Sequence, residues 1–174
     1  MTGSPMIKLN SGKEMPALGF GTFASVGNPG ETHRAVVAAL EAGYRHLDCA
    51  WFYLNEDEVG TGIKEYMTAH PEFKRSELFV STKVWQHLHA PQDVRWSIND
   101  SLKKLQLEYV DLLLIHWPFA AERNEDMTVK IGPDGKVCSS IPHYYPSIHY
   151  LDLPRTSPNY LFPSQRPPIP EITY

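Results

Sequence analysis

Cysteine, long apolar runs and clusters of like charge are all scarce in this sequence of 174 residues. The two cysteines, Cys49 and Cys138, lie outside any C-x-x-C pair, so the sequence predicts neither a disulfide framework nor a zinc site. No apolar run approaches the roughly 20 residues of a membrane helix, and residues 1–10 lack the apolar core of a signal peptide. We therefore expect a cytoplasmic protein without membrane association.

Charge is close to balanced, with 16 basic and 20 acidic residues and a formal net charge of −4. The two signs are interspersed and form no basic stripe, so nucleic acid is not an expected partner. Hydrophobic residues make up 42% of the chain, which is enough to bury the core of one globular domain.

Proline has a strongly uneven distribution. Eight of the 15 prolines follow Ser140, and from Val137 onward tyrosines cluster while charged residues become rare. This part shows no helical or strand period that would bury its apolar residues. We therefore predict a folded domain over residues 6–136 and a proline- and tyrosine-rich, disordered tail over residues 137–174. Residues 167–170 of the tail satisfy P-x-x-P, so a module that binds SH3 or WW domains stays open as an alternative function.

Up to about residue 118 the sequence alternates short apolar strands with amphipathic helices. The predicted elements are a hairpin over 6–18, strands over 18–22, 46–50, 78–84 and 111–115, and helices over 31–42, 56–68 and 91–105. The continuous apolar run of the last strand is typical of parallel sheets that helices cover. Two α/β folds fit this alternation: an open doubly wound sheet, and the first half, about four β-α units, of a (β/α)8 TIM barrel preceded by an amino-terminal β-hairpin.

The glycines at the first parallel strand favour the barrel. Residues 19–24 (GFGTFA) match G-x-G-x-x-A, but a dinucleotide-binding fingerprint must open a helix, so that the pyrophosphate meets the helix amino terminus. Residues 25–30 (SVGNPG) predict a loop instead. We therefore interpret the two glycines as easing a strand into a loop.

Four polar side chains lie at or just beyond the carboxyl ends of three successive predicted strands: Asp48, Tyr53, Lys83 and His116. Barrel enzymes carry their chemistry at this rim. Singly, each side chain has an ordinary explanation, as a cap, a loop aromatic, a solvated strand end or a core histidine. Together they can form a coupled proton-donating site.

The chemistry of such a site follows from the phenol. A tyrosine ionises only at about pH 10, which is too high for efficient proton donation and return at neutral pH. Lys83 can favour the phenolate of Tyr53, and Asp48 would pair with Lys83 so that a buried ammonium keeps its charge. His116, as a neutral imidazole, could then hold a substrate carbonyl oxygen beside the phenol.

His87 and His89 form a second cluster of polar groups. An H-x-H pair can ligate zinc, but no further ligands accompany this pair at fitting spacing. We therefore predict solvated loop histidines and no metal site.

Three motifs resemble, in order, characteristic segments of the aldo-keto reductase family. Residues 43–50 (GYRHLDCA) and 53–60 (YLNEDEVG) are similar to the signature around the catalytic tyrosine of that family. Residues 77–85 (ELFVSTKVW) resemble its lysine strand, and residues 111–118 (DLLLIHWP) resemble its histidine strand. The resemblance covers roughly residues 6–136, and three ordered motifs are far more specific than one.

The resemblance implies a (β/α)8 barrel oxidoreductase that transfers hydride from a nicotinamide cofactor, usually NADPH, to the carbonyl of a small aldehyde or ketone. Tyr53 would be the proton donor, Lys83 and Asp48 would tune it, and His116 would orient the carbonyl. The implied binding residues are Thr22, Phe23 and Asp48 for the cofactor, and His116, Trp85 and Trp117 for the substrate.

Departures from the family pattern bear on substrate and activity. Phe23 stands where many members have tryptophan, and Trp51 lies between the catalytic aspartate and tyrosine, so both affect the expected substrate preference. Strands five to eight, which hold most of the cofactor site in the family, have no counterpart after residue 136. We therefore expect a truncated reductase of weak or no activity, and a non-catalytic fragment with an unknown protein partner stays open as the alternative.

Overall fold

The computed structural model describes residues 4–24 and 28–139, and the predicted tail beyond Ser139, with its P-x-x-P motif, lies outside the described residues. The first described element is an antiparallel hairpin of β1 (Met6–Lys8) and β2 (Glu14–Pro16). Gly12 turns the chain between the two strands with a φ of 84°, a conformation that glycine adopts freely because it has no Cβ. The predicted hairpin is confirmed.

Four parallel strands follow, and their order in the sheet is their order in the sequence: β3 (Phe20–Gly21), β4 (His46–Asp48), β5 (Phe79–Val84) and β6 (Leu112–Ile115). A doubly wound sheet reverses its strand order after the first strands, whereas a barrel does not. The sequential order therefore confirms the predicted half-barrel sheet. Strand β4 ends before the predicted residue 50, because the chain leaves the sheet for a 3-10 turn at Trp51–Tyr53.

Three helices connect the parallel strands: α1 (Glu31–Glu41), α2 (Glu56–Ala69) and α3 (Pro91–Leu105). Helix α1 ends where Gly43 adopts a φ of 95°, with the Gly43 amide donating to Leu40 and the Tyr44 amide donating to Ala39. All three predicted helices are confirmed within one or two residues of their ends. No helix among residues 4–24 and 28–139 is long and apolar enough to cross a membrane.

The core lies between the sheet and the helices, and it is built from apolar side chains of every helix and of strands β4 and β5. Its fully buried members include Val36, Leu40, Leu47, Val59, Ile63, Val80 and Leu105. Helix α2 packs between α1 and α3. Gly60 permits the close approach to α3, because a Cβ at this position would lie 2.6 Å from the backbone of Leu105.

A lobe after β6 carries three short antiparallel pairings, Ala121 with Ser139, Arg123 with Val129 and Ile131 with Val137. The pairing therefore extends through residues 137–139, which the sequence assigns to the tail. Arg123 joins the lobe to α3 through two hydrogen bonds of 2.9 Å to the Asp93 carboxylate.

The prediction of solvated loop histidines is wrong for His87, which is buried. Its Nε2 lies 2.8 Å from the carbonyl oxygen of Met127 in the lobe. His89 is half-buried. The lobe covers this loop through a contact between residues 40 positions apart, which no local pattern indicates.

Replacement of Gly60 by alanine tests the packing of α2 on α3. Helix propensity alone would stabilise the Gly60→Ala variant by about 1 kcal/mol, whereas the clash with the Leu105 backbone should destabilise it by about 1–3 kcal/mol. We expect packing to dominate and the urea midpoint to fall. Gly21→Ala is the control, because a Cβ there meets nothing within 4 Å. An unchanged or higher midpoint for Gly60→Ala would contradict the close approach of the helices.

Candidate active site

Asp48 and Lys83 lie at the carboxyl ends of the adjacent strands β4 and β5, where they form an ion pair. The Lys83 Nζ donates to Asp48 Oδ2 and to the Cys49 carbonyl oxygen, both at 2.9 Å. Ser81 donates to the other carboxylate oxygen of Asp48 at 2.8 Å. The Lys83 side chain is 12% exposed, so these oxygens replace most of the water that would solvate its charge.

Tyr53 is brought to this ion pair by the 3-10 turn that follows β4. Its hydroxyl lies 3.2 Å from Lys83 Nζ, which donates to it. The same nitrogen lies 4.9 Å from the centre of the phenol ring. Phe23, from the loop after β3, meets the ring edge to face at 5.1 Å between centroids.

His116 follows β6 directly, and its ring stands edge to face on Tyr53, with 5.5 Å between centroids. Burial lowers the pKa of His116 first, the Lys83 ammonium lowers it further, and Asp48 acts in the opposite direction. The imidazole is therefore largely neutral at neutral pH, as the sequence analysis expects of a group that binds a carbonyl oxygen. Its Nδ1 is buried and has no hydrogen-bond partner among the described residues.

An aromatic wall borders the tetrad of Asp48, Tyr53, Lys83 and His116. Trp85 packs edge to face on His116, with 5.0 Å between ring centroids. Phe52 stacks on Trp85, with 3.8 Å between centroids and an interplanar angle of 10°. Phe52 is 43% exposed. Of the predicted substrate residues, Trp85 and His116 are thus brought together.

The other predicted binding residues have different surroundings. Trp117 is exposed and stacks on Phe119 rather than on the tetrad. Thr22 is buried, and its amide and hydroxyl both donate to the Asp48 carbonyl oxygen, at 3.1 and 3.0 Å. Phe23 is 64% exposed beside Tyr53. An open aromatic ring and a partly exposed carboxylate beside the phenol fit the nicotinamide end of a dinucleotide better than its phosphates.

Trp51, which the sequence analysis connects with substrate preference, points away from the tetrad. Its indole N–H donates to Asp100 of α3 at 2.9 Å, and its ring packs on Trp96 of the same helix. The residue that reaches the aromatic wall is Phe52, and sequence reasoning missed it. Ser81 was also missed, although its position two residues before Lys83 places it on the same face of β5.

The comparisons with known proteins agree with this architecture. The sequence model of the Aldo/keto reductase family matches residues 17–141. Glycerol 2-dehydrogenase (NADP(+)) of Hypocrea jecorina is 58% identical over 128 residues, which are 74% of this chain and 40% of that protein. Aldo-keto reductase family 1 member A1 of Homo sapiens is 44% identical over 138 residues, covering 79% of this chain and 42% of that protein. The chain belongs to the aldo/keto reductase family.

Solved structures show the same relationship. The aldose reductase of Schistosoma japonicum superimposes with a TM-score of 0.71 at 38% identity, over 78% of this chain and 44% of that chain. An aldo-keto reductase of Bombyx mori, solved in complex with NADP, gives a TM-score of 0.67 at 39% identity, over 76% of this chain and 43% of that chain. The predicted fold class is confirmed, and the chain spans about two fifths of the length of the curated relatives it matches.

Titration of the histidine rings tests the electrostatics of the site. In the wild type, His116 should titrate below the ordinary histidine value, and Lys83→Met should move its midpoint upward, because one cause of the lowered pKa is removed. Ring nuclear magnetic resonance signals followed against pH measure both midpoints. His70 is the internal control: its pKa is raised by the hydrogen bond that its ring donates to the Glu41 carboxylate, and Lys83→Met should leave it unchanged. A folded variant with an unmoved His116 midpoint would contradict the electrostatic effect of Lys83 on His116.

Proposed function

We propose that this chain provides the proton-donating half of a reductase that uses NADPH to reduce the carbonyl of a small aldehyde or ketone. The observation that carries the proposal is the pair of hydrogen bonds from Lys83 Nζ to the Tyr53 hydroxyl and the Asp48 carboxylate, beside a neutral His116. Membership of the aldo/keto reductase family supports it, as does the similarity to the glycerol 2-dehydrogenase (NADP(+)) of Hypocrea jecorina.

The proposed roles follow from the contacts. Tyr53 gives its proton to the carbonyl oxygen, and the Lys83 ammonium stabilises the phenolate that remains. Asp48 holds the ammonium in place, since its other oxygen is fixed by Ser81. A ring nitrogen of His116 donates a hydrogen bond to the same carbonyl oxygen. When bound, NADPH supplies the hydride to the carbonyl carbon.

The binding roles are proposed for the residues that line the rim. Phe23 and the partly exposed Asp48 would lie beside the nicotinamide, and Thr22 would hold this part of the rim through its bonds to the Asp48 carbonyl oxygen. Trp85, stacked on Phe52, would form the side of the substrate pocket next to His116. Trp117 would join that pocket only after a change in orientation, because it faces Phe119.

The described half of the barrel limits the proposed activity. Within residues 4–24 and 28–139, strands β3 and β6 each pair along one edge alone, and Leu114 and Ile115 of β6 are exposed. We propose that residues 6–136 form the reductase domain, and that this chain by itself turns over slowly, since hydride transfer requires a nicotinamide held in contact with the carbonyl.

A reductase assay tests the role of the phenol. The 174-residue chain is assayed with NADPH and glyceraldehyde, alongside Tyr53→Phe, which keeps the ring and removes the proton. Loss of a general acid lowers turnover by about 100-fold or more, so the activity of the chain should vanish in this variant. Tyr44→Phe is the matched control, because Tyr44 packs on Phe20 away from the rim. Turnover by Tyr53→Phe equal to that of the unchanged chain would contradict the role of Tyr53 as proton donor.

A further inference from the structure

Leu54, Asn55 and Glu56 connect the turn that carries Tyr53 to helix α2. Leu54 has a φ of 55°, a left-handed conformation that non-glycine residues adopt infrequently. The turn lies outside the sheet ladder, and the Tyr53 amide donates back to Ala50 at 3.0 Å. Contacts made after Tyr53 must therefore help to fix where the phenol lies.

Asn55 ties the turn to the end of the first parallel strand. Its side-chain amide donates to the Thr22 carbonyl oxygen at 2.8 Å and to the Thr32 hydroxyl at 3.1 Å. Thr22 in turn donates twice to the Asp48 carbonyl oxygen. Asn55 thus connects the turn, through Thr22, to the backbone of Asp48, which pairs with Lys83.

Glu56 ties the other side of the turn to β5. Its Oε1 accepts a hydrogen bond of 2.7 Å from the Thr82 hydroxyl, and the two residues are 1% and 0% exposed. Thr82 directly precedes Lys83, and neighbouring residues of a strand point to opposite faces. The Glu56–Thr82 bond and the Tyr53–Lys83 bond therefore join the same two segments from opposite faces of the sheet.

We propose that Glu56 and Thr82 are positioning residues, whose hydrogen bond holds the Tyr53 hydroxyl against the Lys83 ammonium; this inference rests on the proposed roles of Tyr53 and Lys83. The distance between those two groups is 3.2 Å, at the long end for a hydrogen bond of this kind. If the Tyr53 hydroxyl moved away from Lys83 by a few tenths of an ångström, the hydrogen bond would weaken. The geometry of this bond therefore depends on a rigid connection between the turn and β5.

The surroundings of Glu56 disfavour the charged form of its carboxyl. Burial raises its pKa, while the hydroxyls of Thr82 and Ser101 act in the opposite direction. Its Oε2 is buried and has no hydrogen-bond partner within the described part of the chain. Oε1 can accept the Thr82 hydrogen bond in either protonation state of the carboxyl.

The test follows the 13Cζ nuclear magnetic resonance signal of Tyr53 at neutral pH in the 174-residue chain with 13C-labelled tyrosine rings, and the signal is assigned by its absence from Tyr53→Phe. The position of this signal responds to the hydrogen bond that the hydroxyl accepts from Lys83, and Lys83→Met gives the position without that bond. Thr82→Val keeps the shape and removes the hydroxyl, so the signal should move from the wild-type position toward that of Lys83→Met. Thr82→Ser restores the hydroxyl and should restore the wild-type position.

Two further variants separate positioning from a general loosening of the structure. Glu56→Met removes the acceptor and should move the Tyr53 signal as Thr82→Val does, so the test survives if one of the two variants fails to fold. Ser97→Ala deletes a buried hydroxyl of α3 and should leave the signal in place. The proposal is overturned if folded Thr82→Val or Glu56→Met keeps the wild-type signal, or if Ser97→Ala shifts it equally. The ring signal needs neither cofactor nor turnover, so absence of reductase activity would count against the proposed function alone.

Discussion

The largely desolvated ammonium of Lys83 is the constraint on which the site depends. An ammonium has three hydrogens to donate, and the three contacts of Lys83 are the Asp48 carboxylate, the Cys49 carbonyl and the Tyr53 hydroxyl. Two of these acceptors come from the end of β4, and the third comes from the turn beyond it. Because a charge withdrawn from water is costly without such partners, the position of Lys83 requires β4, β5 and the turn to keep one arrangement.

Strand β5 meets this requirement because its side chains alternate between the rim and the helices. Ser81 and Lys83 face the rim and contact one carboxylate oxygen of Asp48 each, whereas Val80 and Thr82 face the helices. One strand therefore supplies chemistry on one face and packing on the other. A substitution on the helix side acts on the rim only through the backbone that the two faces share.

The fold and the tetrad could be predicted because their signals are local. The apolar run of β6 and the Schellman motif that ends α1 at Gly43 each depend on a few consecutive residues. Parallel strands bring their carboxyl ends together whatever their sequences. The burial of Glu56 could not be predicted in this way, since an acidic residue at a helix start is ordinarily a solvated one, and its partner lies 26 positions away. The burial of His87 depends similarly on a lobe 40 positions distant.

The geometry of the 3-10 turn explains why its three adjacent aromatic residues contact three different neighbours. With three residues per turn, successive side chains leave the axis about 120° apart. Trp51 therefore reaches α3, Phe52 reaches Trp85, and Tyr53 reaches Lys83. The aromatic residue that departs from the family pattern in this turn is the one that faces a helix, so the structure connects Trp51 with packing on α3. Phe52 and Trp85 adjoin His116 beside Tyr53. If the proposed function holds, substrate preference would depend on these three side chains.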